Sequence, residues 1–332
     1  MNLAHHGDQD VAPGLVDLAV NVRPGTPPEW LRQRLAEVDL ATYPDQQAAV
    51  AAVAERHGVA PEQVLLTAGA AEAFVLVARA LRPRHALVVH PQFTEPELAL
   101  RAGGHPVRRL VLPAPYVLEP RRVADDADLV VIGNPTNPTS VLHPAATLRA
   151  LLRPGRLLVV DEAFMDTVPG ESESVSGESG ALVVRSLTKT WGLAGLRIGY
   201  AVGDADIVER LRAVQPHWPV SSPALAAAVA CSAPAAVAEA DAAALVLVAR
   251  RAHLVKELDA IDGVEVVGEP AASFVLLRTA RPELWNSLRD KGFAVRRADT
   301  FPGLGAEWIR VAVRDEQTST AFADALRECL WT

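Results

Sequence analysis

"SLTKTWGLAGLRIGY", residues 186–200, sets two hydroxyls, Ser186 and Thr188, just ahead of Lys189 and then runs through glycine-rich chain to Arg197. A lysine beside hydroxyls suggests a phosphate site. The P-loop, G-x-x-x-x-G-K-[ST], needs glycines six residues and one residue before its lysine. Those positions hold Val183 and Thr188, so the stretch is not a P-loop. "LLVVDE" (157–162) looks like a Walker-B strand, but with no P-loop ahead of it an ATPase fits poorly.

The flanking sequence supplies the frame. "HALVVH" (85–90), "DLVVIG" (128–133), "RLLVVD" (156–161), "ALVVR" (181–185) and "RIGYAVG" (197–203) are short, apolar and rich in β-branched residues. Runs of that kind are expected of central parallel strands buried on both faces. Helical patterns at 71–81, 95–103, 145–153 and 204–213 lie between several of them, which implies an α/β sheet covered on both sides. After Pro223 the texture changes. One or two long Ala- and Leu-rich helices are expected over 224–261. A second, small sheet follows from 264–268, 273–278, 293–297 and 308–314, with helices near 281–290 and 316–330. The expected units are an N-terminal arm (1–35), a large α/β domain (36–230) and a small α+β domain (231–332). The polar stretch "PGESESVSGESG" (169–180) reads as a solvent-exposed connection.

Composition excludes several classes. The chain has 332 residues, half of them apolar, with a net charge of −8 and no block of like charges. A nucleic-acid surface would show a basic stripe. Two distant cysteines, Cys231 and Cys329, fit buried free thiols, and no Cys/His spacing resembles a zinc site. The polar start "MNLAHHGDQD" has no apolar signal region. Ser232, Pro234, Glu239 and Asp241 interrupt the Ala-rich region that comes closest to membrane-spanning length. A cytoplasmic protein without membrane or nucleic-acid partners is expected.

In open α/β sheets ligands sit beyond the carboxyl ends of the strands. Asn134 and Asn137, Asp161, and Ser186, Thr188 and Lys189 all follow strands. The turn at Gly69, Ala70 and Ala71 opens a helix whose free N–H groups suit an anion. Lys189 could form an imine with an aldehyde, its pKa lowered by Arg197 nearby. Ser186, Thr188, Arg197 and the 69–71 amides would hold a phosphate. Asp161 could pair with a protonated ring nitrogen, and Asn137 with a ring hydroxyl. An aldehyde, a phosphate, a pyridinium and a phenolate together describe pyridoxal 5′-phosphate.

These motifs resemble the class I/II aminotransferase-like enzymes, the fold-type I group that uses this cofactor. "YPD" (43–45), "NPTNPTS" (134–140), "VVDEAF" (159–164), the lysine segment and "IRVAVR" (309–314) fall in that family's order. The resemblance implies a fold-type I transferase, with a large, mixed, mainly parallel sheet and a smaller C-terminal α+β domain, assembled as a homodimer. By the same resemblance Lys189 is the Schiff-base lysine, Phe93 the aromatic stacked on the cofactor ring, and Arg310 the grip on a substrate carboxylate. Tyr43 would reach the cofactor phosphate of the neighbouring subunit.

Two branches lie near, both accepting phosphorylated amino compounds. They are the histidinol-phosphate aminotransferases and the L-threonine O-3-phosphate decarboxylases of cobalamin biosynthesis. "HHGD" (5–8) and "VDLAVNVRPGTPP" (16–28), which carries Asn21, resemble the decarboxylases, and Phe164 stands where aminotransferases usually have tyrosine. The decarboxylase is therefore the first expectation and the aminotransferase the alternative. A non-catalytic relative would be expected to lose Lys189 or Asp161, and both are present. Arg23, Arg296, His5 and His6 are the candidates for a substrate phosphate. Ser140 replaces a usual glycine, and Pro96 a common tyrosine.

Overall fold

Residues 3–331 are described by a computed structural model. Its strands are β1 (Val16–Leu18), β2 (Val64–Thr67), β3 (Ala86–His90), β4 (Val107–Val111), β5 (Leu129–Gly133), β6 (Leu157–Asp161), β7 (Ala181–Ser186) and β8 (Gly199–Gly203), followed by β9 (Val264–Val266), β10 (Phe274–Thr279), β11 (Phe293–Arg297) and β12 (Trp308–Ala312). Seven of them form the large sheet in the order β2-β8-β7-β6-β5-β3-β4. Neighbours from β7 through β4 run parallel, and β8 is antiparallel to both β7 and β2.

Successive strand residues face opposite sides, so a continuous apolar run can feed two cores. Val130, Ile132, Leu158, Val160 and Val183 enter one core, with Leu148, Leu151, Leu276 and Trp308. Leu129, Val131, Val159, Leu182 and Val184 enter the other. There the helices Ala70–Ala80, Glu95–Ala102 and Ala205–Arg212 contribute Phe74, Leu76, Leu100, Val208 and Leu211. The small sheet has the order β1-β11-β12-β10-β9, with β1 parallel to β11 and every other pair antiparallel. Leu254 and Leu258, Leu284 and Leu288, and Phe322 and Leu326 cover it from three helices.

Several elements depart from expectation. The Ala-rich region is two helices, Ser222–Ser232 and Pro234–Asp259, because Ala233 is extended and Pro234 begins the second. No single helix among the described residues is long and apolar enough to cross a membrane; this bent pair, at 74°, passes such a test only together. The helix expected over 145–153 stops at Arg149, and strands β1, β2 and β4 were not expected. β4 is a half-exposed edge strand with two consecutive arginines, Arg108 and Arg109, so it lacks the apolar signature of its neighbours. Cys231 and Cys329 are buried free thiols, as expected.

The 169–180 segment is corrected more substantially. It is not a free surface connection but is pinned to the core. Val175 is buried, Glu173 accepts from the Ala145 N–H, and Ser174 donates to Glu162. Glu171 pairs with both Arg56 and Arg185, at 2.7 and 2.8 Å. These groups belong to a buried ion cluster in which Arg185 also meets Glu162 at 3.0 Å and Asp166 at 2.6 Å.

Removing one partner of a buried ion pair strands the others and typically destabilises by about 3–5 kcal/mol. Arg185→Leu should therefore lower the unfolding free energy obtained from urea denaturation by an amount in that range, while Arg121→Leu, at an exposed pair, should leave it unchanged. Burial opposes ionisation of Glu171, but Arg185 and Arg56 outweigh it and hold its carboxyl down at about 2. A depressed carboxylate contributes stability above its unfolded value that is lost as pH falls towards 2. Acid unfolding of Glu171→Gln should accordingly be shallower than wild type between about pH 4.5 and 2.

Candidate active site

The parallel strands β5, β6 and β7 end side by side, and a cavity of 490 Å³ opens beyond them. Asn137, Asp161, Ser186, Thr188 and Lys189 line it from these strand ends. Ala70 and Ala71 line it from the first turn of the helix Ala70–Ala80, where the leading N–H groups have no intrahelical partner. Gly69 caps that helix with a positive φ of 78°, a conformation suited to glycine. A Cβ at Gly69 would come within 2.5 Å of the Arg197 guanidinium, so the absent side chain lets the arginine lie against the helix end. Arg197 donates to the Ala194 carbonyl at 3.2 Å, and among the described residues no carboxylate lies within ion-pair distance of it. A helix start, an arginine without a counter-charge and two buried hydroxyls form a receptive corner for a phosphate.

The segment that opened the question is shaped for this corner. After β7 it makes one helical turn, Thr188–Trp191, ended by Gly192 at a φ of 68°. A Cβ at Gly192 would strike Thr26, so close packing as well as conformation requires glycine here. Trp191 is buried in the core beneath and anchors the turn that carries Lys189. The Lys189 carbonyl accepts from the Arg23 N–H at 2.9 Å, and its Nζ stands 5.7 Å from the Phe164 ring centroid.

Burial pushes the Lys189 amine down to about 8, helped by the charges of Arg310 and Arg197 and opposed by Asp161. Burial likewise raises Asp161 to about 6, against the pull of the Ala163 N–H, which donates to Oδ1 at 3.1 Å, and of Lys189. At neutral pH the carboxyl remains mostly ionised. A buried carboxylate with one backbone donor suits a cationic N–H partner such as a protonated ring nitrogen.

Arg310, on β12, brings the small sheet into the site. Its guanidinium donates to Asn137 Oδ1 at 2.5 Å and to the Ala19 carbonyl, and it lies over the Phe274 ring. With its amide oxygen turned inward, Asn21 accepts from Arg310 at 3.1 and 3.3 Å. Arg296 on β11 also lines the cavity and is held by the His5 carbonyl and Thr300 at 2.6 and 2.8 Å. Phe93 and His6 line the same wall, their rings 5.6 Å apart.

Three expected residues lie elsewhere. Arg23 does not reach this cavity: it pairs with Glu239 at 3.0 Å, stands over the Trp191 ring and borders a neighbouring space of 310 Å³. Lys189 borders the same space, and the buried Arg23 Nη1 has no hydrogen-bond partner among the described residues. Tyr43 is 77% exposed and stacked on Trp218, outside this chain's own cavity. His5 is turned to Asp10, at 2.8 Å. Ser140 explains its own oddity. Its φ of 62° is the left-handed backbone that favours glycine, and its hydroxyl offsets part of that cost by accepting from the Ala272 N–H at 2.8 Å. Asp8, Thr94 and Glu95 also line the cavity, and nothing local in the sequence marks them as site residues.

The sequence matches the class I and II aminotransferase family over residues 13–326. The chain belongs to that family. It is therefore a fold-type I, pyridoxal-phosphate-dependent enzyme of the aminotransferase group, and the phosphate corner, Lys189 and Asp161 fit that cofactor. The histidinol-phosphate aminotransferase of Mycobacterium tuberculosis is 54% identical over 320 residues, 94% of this chain and 87% of the relative. The crystal structure of the Clostridium acetobutylicum histidinol-phosphate aminotransferase superposes with a TM-score of 0.87 at 26% identity, covering 95% of this chain and 98% of that one. That of L-threonine-O-3-phosphate decarboxylase from Porphyromonas gingivalis gives 0.85 at 26% identity, covering 96% and 100%.

Because the neutral amine is the nucleophile, cofactor capture by the cofactor-free enzyme should rise with pH through an inflection near 8. Arg310→Met removes a positive neighbour of Lys189, so the inflection should move upward. Absorbance-monitored reconstitution across pH 6–10 reads both. Borohydride reduction and peptide mapping should then place the cofactor mass on Lys189.

Proposed function

We propose that this enzyme is an aminotransferase acting on histidinol phosphate, with 2-oxoglutarate as amino acceptor. The observation that carries the reading is the 54% identity, across 94% of the chain, to a histidinol-phosphate aminotransferase. This replaces the first expectation of decarboxylation, whose namesake at the sequence level is only 29% identical. Phe164 and the "HHGD" segment, which favoured the decarboxylase, are local features outweighed by similarity over the whole chain.

The site residues support this assignment of roles. When bound, pyridoxal phosphate supplies the electron sink that stabilises negative charge at the substrate Cα. Ser186, Thr188, Arg197 and the amides at Gly69, Ala70 and Ala71 would hold its phosphate. Asp161 would keep the ring nitrogen protonated, Asn137 would bond the ring hydroxyl, and Phe93 would pack on the ring. Lys189, with a pKa near neutrality, can accept a proton at Cα and return it at the neighbouring carbon. Arg310, Arg296, Asn21 and His6 would face the substrate. Burial pushes the two guanidinium groups down, to about 9 for Arg310 and about 10 for Arg296. A dianionic phosphate beside them would relieve the like-charge repulsion between them.

A homodimer is part of the same proposal. Tyr43 and Trp218 stack as an exposed apolar pair, 77% and 55% accessible, which a second subunit would cover while lending Tyr43 to the neighbouring cofactor phosphate. The arm 1–35, the large domain 36–230 and the small domain 231–332 would be its structural units.

With the purified holoenzyme, histidinol phosphate and 2-oxoglutarate should give glutamate and the matching ketone. Histidinol phosphate alone should convert the cofactor to its amine form. Carbon dioxide release from L-threonine O-3-phosphate, with no amine-form cofactor from histidinol phosphate, would refute the assignment in favour of the decarboxylase.

A further inference from the structure

The cavity holds two carboxylates that the cofactor does not use, Asp8 and Glu95. Glu95 begins the helix Glu95–Ala102, immediately after the Phe93 wall. Its Oε1 meets His6 Nε2 at 2.7 Å. A carboxylate only accepts, so the His6 proton sits on Nε2 and points at Glu95. That contact fixes the carboxylate and leaves Oε2 without a partner among the described residues. Its side chain keeps 27% exposure, so the free oxygen has room to receive a ligand.

The charges sort by chemistry. Arg197 and Asp161 are matched by the cofactor phosphate and ring nitrogen. What remains on the walls is Arg310 and Arg296, the latter 3.5 Å from Asp10, against Asp8 and Glu95. A substrate that is anionic at one end and an N–H donor at the other matches that remainder.

We infer that Glu95, oriented by His6, is a specificity-determining residue that accepts a hydrogen bond from the imidazole N–H of the substrate. This deepens the histidinol-phosphate reading and rests on it. The role is one of binding: no bond to Glu95 forms or breaks, so its effect belongs in KM more than in kcat.

The test compares wild type with Glu95→Gln on histidinol phosphate and on 2-aminobutyl phosphate, which keeps the phosphate and amine but lacks the ring. Glutamine preserves length and can still accept from His6, and thermal unfolding verifies that the variant is folded. The expected result is a loss of roughly tenfold or more in kcat/KM for histidinol phosphate, mostly through KM, with the ringless compound changed less than about twofold. Calorimetric titration of both compounds into the cofactor-free protein should show the same selective weakening. Equal losses on both compounds, or no loss on histidinol phosphate, would overturn the role of Glu95 while leaving the substrate assignment standing. A wild-type enzyme inert towards histidinol phosphate would overturn both.

Discussion

Arg185 is a fully buried cation on a central strand, and the site is arranged around the acids that neutralise it. Glu162, Asp166 and Glu171 surround its guanidinium, with Arg56 closing the cluster from the helix Gln47–His57. Two members adjoin site residues in the chain: Glu162 follows Asp161, and Arg185 precedes Ser186. Adjacent residues along a strand present their side chains to opposite sides. Fixing Glu162 and Arg185 on one side therefore orients Asp161 and Ser186 on the other. An uncompensated charge in that position would be expensive, so the cluster tolerates few alternative packings.

The same constraint draws distant chain together. Glu171 reaches the cluster from a segment dense in serine, glycine and glutamate, and Ser174 and the Val175 N–H bond Glu162 from the same loop. On the far side of the site, Arg310 ties β12 of the small sheet to Asn137 of the large domain and to Ala19 near the chain start. Arg296 holds the His5 carbonyl in the same way. The cavity is thus closed by arginines that bond backbone carbonyls and neutral amides. Their charges are only partly compensated by carboxylates, which leaves them available to an anionic substrate.

The large sheet was legible because its central strands are apolar on both faces, and the strand-end residues Asn137, Asp161, Ser186 and Lys189 could be placed from that pattern alone. β4 escaped because an edge strand needs only one apolar face, and β1 because three residues carry no periodicity. The 169–180 loop misled for a different reason. Polar composition describes a solvated loop and a loop that satisfies buried charge equally well, and only the position of Arg185 distinguishes them. The position of Arg23 was not legible because its partner, Glu239, lies 216 residues away in the chain.

Taken by itself, the sequence determined the fold class and the cofactor, because those depend on strand periodicity and on short motifs whose members are near neighbours in the chain. Tertiary structure decided which charges are free. Arg23 is paired with Glu239, whereas Arg197 has no carboxylate partner among the described residues, and the chain start folds His6 against Glu95 at the cavity wall. The availability of a charged group depends on what lies within a few ångströms of it, and those neighbours come from segments that the chain brings together only on folding.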